Sequence, residues 1–257
     1  MIIFLILVFC SGTVEAGETP ALAQPPAQEI YDTAVRLKQS GLLTESQEAY
    51  RNLLTRHLVP EVRRTVEKEL AEVNLKLVFS VISSPQSVVH VVKAGETLRK
   101  IAARYHTTLD VLESRNQLKD DLIHPGQKLS IWQGDWQILI DKTKNVLTLT
   151  DREKLFKSYV ISTGKNNSSP SGEFKIVEKL KDPVWFHKGI PVPPNVPDNY
   201  LGTRWLGLNL PKYGIHGTVE PELIGKSVSG GCIRMRNEDV EELYRIVPVG
   251  TKVVIMK

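Results

Sequence analysis

Hydrophobic residues in this chain follow two different repeats, one in each half. From Glu29 to Phe79 they recur at helical spacing. After Gly134 they alternate in short runs broken by turn residues, as strands do. A chain of 257 residues has room for two or three domains. It is therefore read as multidomain, with helices first and a mainly β domain last. Hydrophobic residues make up 41% of it, enough for sizeable cores. The net charge of +4 is mild, and no basic run or basic helical face accompanies it, so nucleic acid is not implied as a partner.

The first residues carry a different signal. Ile2 to Cys10 is an almost purely apolar run, of a length that suits the core of a secretory signal. A membrane-spanning helix would need ~20 apolar residues. Val14-Glu15-Ala16 and Ala21-Leu22-Ala23 offer small-residue cleavage sites, so residues 1–23 read as signal and leader. No Lys or Arg precedes the run, which departs from the usual pattern. Bulky Phe9 before Cys10 argues against a lipid-modified cysteine. The expectation is export, to the periplasm or cell wall. Removal of the leader leaves Cys232 as a lone thiol, so no disulfide holds this protein together.

Within 29–79, Ile30, Ala34 and Leu37 share one helical face before Gly41 interrupts. Ala49, Leu53 and Leu54 mark a second helix. Pro60 opens a third, which carries Val62, Val66, Leu70, Val73 and Leu77. Ala34 to Tyr50 resembles a tetratricopeptide hairpin. Such repeats need stacked copies to bury their faces, and none follows, so the segment reads as a helical spacer or cap. A short Ser/Pro linker then leads to a compact unit at 89–132. Its alternating valines form a strand, Gly95 permits a turn, and Thr97 can cap the next helix. A second helix runs from about Thr107 to Asn116, and a last strand ends at Trp132.

This β-α-α-β order resembles a LysM domain. Val92-Lys93-Ala94-Gly95-Glu96-Thr97-Leu98, Ile101-Ala102-Ala103-Arg104-Tyr105, Asn116-Gln117-Leu118 and Ile123 to Leu129 occur in the order of that family's pattern. The resemblance implies binding of N-acetylglucosamine-containing glycan. The loops after the first strand and before the last would hold it, which points to Gly95, Thr97, Leu98, Ile123, His124 and Pro125.

Past Gly134, strands are predicted at 136–141, 146–150, 157–162, 174–177 and 251–256. Residues 181–211, rich in proline and aromatics, read as an ordered loop. A helix is predicted over 238–244, with Asn237 as its N-cap. The chemistry concentrates in two pieces. Ile215-His216-Gly217-Thr218 precedes Ser227-Val228-Ser229-Gly230-Gly231-Cys232-Ile233-Arg234, with the histidine sixteen residues before the cysteine. Cysteine attacks as thiolate, an imidazole can take its proton, and glycines let backbone N–H groups approach a developing oxyanion. A Cys/His pair alone is weak evidence, since many histidines are merely core or surface residues.

The context is more specific. His-Gly-Thr followed by Ser-x-Gly-Cys-Ile-Arg resembles the signature of the L,D-transpeptidase catalytic domain, the YkuD family. Ser169-Pro170-Ser171-Gly172-Glu173-Phe174 resembles an upstream family element, with Ser169 in place of threonine. Gly230 stands where many members carry His or Lys. The resemblance covers about 135–257. It implies Cys232 as nucleophile, His216 as base, the Gly217 carbonyl as orienter of the imidazole, and the N–H groups of Gly231 and Cys232 as oxyanion donors. Arg234 would bind or organise the site, or serve as a structural ion pair. Ser229 would lie by the substrate or hold the cysteine loop. It implies no cofactor and no metal. The implied reaction forms 3→3 cross-links between peptidoglycan stems. The acceptor could instead be water, a D-amino acid, another amine or an envelope protein. An L,D-carboxypeptidase or protein-anchoring transferase on the same fold, and a non-catalytic wall-binding protein, are the alternatives. A papain-like hydrolase would place its cysteine before its histidine and is rejected.

Overall fold

The computed structural model describes residues 25–257 apart from residue 195. The leader read at 1–23 lies outside them. Three helices open the described chain: α1 (Ala27–Gln39), α2 (Leu43–Leu54) and α3 (Pro60–Phe79). Pro60 takes the first turn of α3, where its missing N–H costs nothing. Next come β1 (Ser87–Val91), α4 (Leu98–Arg104), α5 (Leu109–Asn116) and β2 (Lys128–Trp132). β1 and β2 pair antiparallel. Thr97 and Thr108 cap α4 and α5 through their hydroxyls, accepting from Lys100 N–H and Val111 N–H. Asn116 closes the unit by exchanging hydrogen bonds with the backbone of Ser130, at 2.7 and 2.8 Å.

The remaining strands are β3 (Trp136–Asp141), β4 (Val146–Asp151), β5 (Lys154–Val160), β6 (Thr163–Gly164), β7 (Gly172–Lys181), β8 (Trp185–His187), β9 (Ile190–Val192), β10 (Arg204–Leu208), β11 (Gly214–His216), β12 (Ser227–Ser229) and β13 (Ile233–Arg234). α6 (Asn237–Ile246) and β14 (Lys252–Met256) end the chain. Eight strands form one sheet in the order β13-β11-β10-β7-β14-β3-β4-β5. The pairs β14–β3 and β11–β13 are parallel, and the rest are antiparallel. Alternation buries Trp136, Ile138 and Ile140 of β3, and Val253 and Ile255 of β14. Val240, Leu243 and Ile246 of α6 join the same core.

Two expectations differ from the structure. Residues 181–211 are not a plain loop, because β8 and β9 form a hairpin and β10 lies inside the main sheet. Its partner β7 runs to Lys181, well past the predicted end. The prolines flanking β10 and the bulge after Gly207 hid this short strand from the alternation pattern. Asn237 is not an N-cap: Arg236 holds that position, and Asn237 is the first residue of α6.

The helical segment is no loose spacer. Val66, Leu70, Val73 and Leu77 of α3 share one core with Leu147, Leu149 and Phe156 of the sheet. Asn74 donates to Phe156 O at 2.8 Å, and Gln47 donates to Asn74 Oδ1 at 2.6 Å. The β-α-α-β unit is fastened to both neighbours. Thr108 Oγ1 donates to Arg245 O in α6, and Arg245 Nη2 donates to Ser114 Oγ at 3.1 Å. Arg115 is fully buried. Its guanidinium donates to Leu77 O and Val78 O at the end of α3, to Ile82 O at 2.8 Å and to Ser130 Oγ at 2.9 Å, and it lies over the Trp132 ring. Burial pulls its pKa down to about 10. A cation there completes the carbonyls that a helix end leaves unpaired. Arg115→Ala would strand them in the interior, so a loss of about 2–4 kcal/mol of unfolding free energy is expected in urea denaturation. A loss under about 0.5 kcal/mol would show that solvent satisfies those carbonyls equally well.

Candidate active site

The site is assembled on the β11–β13 edge of the main sheet. Ile215 pairs with Ile233 and His216 with Arg234 in parallel register. Ile215 and Ile233 point into the core. Side chains alternate, so His216 and Arg234 share the opposite face. Cys232 lies in the bend just before β13. β13 is held from its other side as well: Ser162 and Arg234 exchange backbone hydrogen bonds at 2.8 and 2.9 Å.

His216 is buried, and its ring stacks on Trp205, its cross-strand partner, with centroids 5.8 Å apart. Nδ1 lies 2.7 Å from Gly217 O and donates to it. That bond leaves Nε2 as the basic nitrogen. Burial lowers the imidazole pKa to about 4; the Gly217 and Leu201 carbonyls oppose the shift, and the Arg234 charge adds to it. The ring is therefore neutral near pH 7. Cys232 is half-buried. Its thiol donates to Lys212 O at 3.4 Å. Burial pushes its pKa up, while Gly214 N–H and Arg234 pull it down. The resting pair is thus a neutral thiol with a neutral imidazole, and the proton would move as attack proceeds.

The cysteine loop owes its shape to Gly231 and Ser229. Gly231 has φ +130°, and a Cβ there would stand 2.9 Å from the Tyr213 ring and 3.2 Å from Ser168 O. Ser229 is buried, donates to Cys232 O at 2.6 Å and accepts from Gly231 N–H at 3.1 Å. The Gly231 N–H is taken by this buried hydroxyl, which differs from its expected place as an oxyanion donor. Ser229 holds the cysteine loop, one of the two roles expected of it, and its hydroxyl is spent there. Gly230 is exposed with open space around it, so the departure from the family pattern there disturbs no contact.

Arg234 Nη1 donates to Glu220 at 3.0 Å, in line with the ion-pair reading, and the guanidinium also faces the Tyr200 ring. The 169–174 element lies beneath the loop. Ser169 Oγ accepts from Gly164 N–H at 2.8 Å, and buried Lys142 donates to Ser169 O and Ser171 Oγ, each at 2.8 Å. Sequence reasoning missed Trp205, Lys142, Tyr213 and the hydrogen bonds of the Asn237 side chain to Thr218. All four act through contacts between segments distant in the chain, and only the placement of Asn237 close behind the cysteine motif could have flagged any of them.

The six residues expected to hold glycan are not brought together equally. A groove in the β-α-α-β unit is lined by Thr97, Leu98 and Ile123, with Glu96, Leu109 and Leu122. Gly95, His124 and Pro125 lie outside its lining. Leu98 belongs mainly to the core of the unit.

Comparison with known proteins agrees with this architecture. Residues 135–255 match the L,D-transpeptidase catalytic domain model, YkuD, and residues 90–132 match the LysM domain model. The chain is 41% identical over 172 residues to the YkuD protein of Bacillus licheniformis, covering 64% of this chain and 96% of that one. It is 37% identical over 171 residues to the YkuD protein of Bacillus subtilis, with the same coverage. A solved L,D-transpeptidase from Mycobacterium smegmatis aligns at 20% identity and a TM-score of 0.42, over 51% of this chain and 64% of that one. The catalytic domain is thus of the mainly β, curled-sheet L,D-transpeptidase class. The chain belongs to the YkuD L,D-transpeptidase family, with a LysM domain ahead of the catalytic domain.

The burial of His216 has a consequence for stability. Its folded pKa lies below the ordinary 6.5, so between those values the unfolded chain binds more protons than the folded one. The contribution is complete above pH 6.5 and is lost as pH falls toward about 4. The full loss is about 3 kcal/mol. Unfolding free energies of wild type and His216→Gln, compared across that range, should diverge by that order. Parallel curves would show that the imidazole is not held neutral.

Proposed function

We propose that the protein is an exported peptidoglycan L,D-transpeptidase that forms 3→3 cross-links through an acyl-enzyme on Cys232. The observation that carries the reading is the Nδ1–H bond from His216 to Gly217 O, at 2.7 Å. It leaves Nε2 as the basic nitrogen of the ring. Cys232 Sγ attacks the carbonyl joining the L-centre of the third residue to the terminal D-residue of a tetrapeptide stem. His216 Nε2 takes the thiol proton and passes it to the departing amine, so D-alanine leaves and a thioester remains. The side-chain amine of a second stem then attacks the thioester. Its proton goes to His216, the amide forms, and the thiol is restored. The Gly217 carbonyl does for the imidazole what a carboxylate does in other triads. Cys232 N–H is the donor left to the tetrahedral oxygen. Gly231 N–H joins it only if Ser229 releases it.

Incubation with purified tetrapeptide muropeptides, with products read by mass, tests the reading. Wild type should yield dimers with loss of one D-alanine. Tripeptide monomers alone would mark an L,D-carboxypeptidase. Cys232→Ser should fold and lose activity by a factor of about 10³ or more, because an alcohol is far harder to ionise than a thiol. His216→Ala should lose most activity too. Near wild-type turnover in either variant would sink the mechanism.

The partner is peptidoglycan, both stems and glycan strands, and the acceptor could also be an amine on an envelope protein. The LysM groove would hold glycan between its two loops. Because that unit is fastened to α3 and α6, it would hold the strand at a fixed bearing to Cys232 rather than act as a loose tether. Leu122 is 64% exposed beside the groove. Leu122→Asp should weaken retention on insoluble peptidoglycan several-fold and leave turnover of small soluble muropeptides unchanged. Unaltered retention would move wall binding to another surface.

A further inference from the structure

Where β11 ends, the chain still has to hold the Gly217–Thr218 peptide still, because its carbonyl accepts the His216 Nδ1–H bond. Backbone pairing reaches only part of the way. Met235 N–H donates to His216 O at 2.8 Å, and then the chain turns into α6. The side chain of Asn237 takes over at that point. Its Oδ1 accepts from Thr218 N–H at 3.1 Å, and its Nδ2 donates to Thr218 O at 3.0 Å. A side-chain amide thus pairs with both polar groups of one residue, as a neighbouring strand would. Oδ1 also accepts from Thr203 N–H at 3.3 Å, which draws in the segment leading to β10.

Two glycines give way to this contact. A Cβ on Gly217 would stand 2.1 Å from Asn237 Oδ1, and one on Gly202 would stand 2.3 Å from it. Any larger residue at either position would expel the amide. Gly217 N–H is meanwhile held by Arg204 O at 3.2 Å.

The atoms form one continuous chain. Asn237 Oδ1 accepts from Thr218 N–H, that N–H belongs to the same peptide unit as Gly217 C=O, and this carbonyl accepts from His216 Nδ1–H. Hydrogen bonds at the two ends of one amide polarise each other, so the acceptor at one end makes the carbonyl at the other a better acceptor. A carbonyl strengthened and fixed in this way locks the imidazole tautomer and favours the imidazolium that forms when the ring takes a proton.

We infer that Asn237 is a positioning residue for the reaction: through the Gly217–Thr218 peptide it orients His216 and supports its protonation. It touches neither thiol nor substrate. The inference rests on the reading of His216 as the base.

The experiment is the rate of Cys232 alkylation by iodoacetamide from about pH 5 to about pH 10 in wild type, His216→Ala, Asn237→Ala and Asn237→Asp, with the melting temperature of each. Asn237→Ala should react roughly tenfold more slowly near neutral pH, the equivalent of one pKa unit. At the alkaline end, where hydroxide rather than His216 increasingly removes the thiol proton, its rate should converge on wild type, so the profile moves to higher pH. Asn237→Asp keeps an acceptor for Thr218 N–H but sets a carboxylate oxygen against Thr218 O in place of the Nδ2 donor, so it should recover only part of the neutral rate. A lowered melting temperature with a wild-type profile in Asn237→Ala would reduce Asn237 to a structural role and overturn the inference. A wild-type profile in His216→Ala would instead overturn the reading of His216 as base. A second measurement does not depend on the alanine variant folding. The imidazole ¹⁵N spectrum of wild type should show His216 as the Nδ1–H tautomer at neutral pH, and Asn237→Asp should shift that Nδ1 signal. An Nε2–H tautomer in wild type, or an unmoved signal in the variant, would count against the chain.

Discussion

Everything at the candidate site depends on the parallel pairing of two very short strands, Gly214–His216 and Ile233–Arg234. Two paired positions are too few to hold a register by ladder bonds alone. Isoleucines at 215 and 233 anchor one face in the core, and alternation then leaves His216 and Arg234 on the other. A slip of one residue would turn His216 and Arg234 into that apolar core and move the isoleucines out of it. The cost of that inversion holds the imidazole in place beside the cysteine loop. Ser162 on one flank of β13 and Asn237 beyond the end of β11 supply the hydrogen bonds that strands of this length lack.

The electrostatics follow from this placement. Stacking on Trp205 and burial at a sheet edge deprive His216 of water, which keeps the ring neutral. The same burial raises the cysteine pKa, and Arg234 opposes that while pairing with Glu220. A thiol and an imidazole that are both neutral at rest avoid a standing charge pair in a dry site. The site can then afford to place its fixed dipoles where charge develops during attack. The interior of the cysteine loop answers to shape instead: Gly231 takes a positive φ beside Tyr213, and Ser229 ties the turn closed.

The helical segment and the LysM unit are parts of the same packed structure. α3 shares a core with the main sheet. Arg115 binds the carbonyl end of α3, while Thr108 and Ser114 hold the last turn of α6. The first residue of that helix, Asn237, contacts the His216 loop. α6 therefore joins the LysM unit to the candidate catalytic loop through a single helix.

Much of this was legible in the residues themselves. Helical spacing marked α1 to α3, since each must bury a stripe. The order of turn, cap and strand residues marked the LysM unit, because its contacts are local. The cysteine motif and the His-Gly-Thr triplet marked the site through their resemblance to a family signature; the chemistry itself asks only that those residue types meet in space. Tertiary structure alone decided the rest. It made Asn237 a clamp rather than a cap, put β10 into the sheet despite the prolines around it, gave the Gly231 N–H to Ser229, and buried Arg115 among the carbonyls of another unit. Each of these depends on which distant segment supplies a hydrogen-bond partner or fills a space. A periodicity records only which face of an element is buried; it does not record what that face meets.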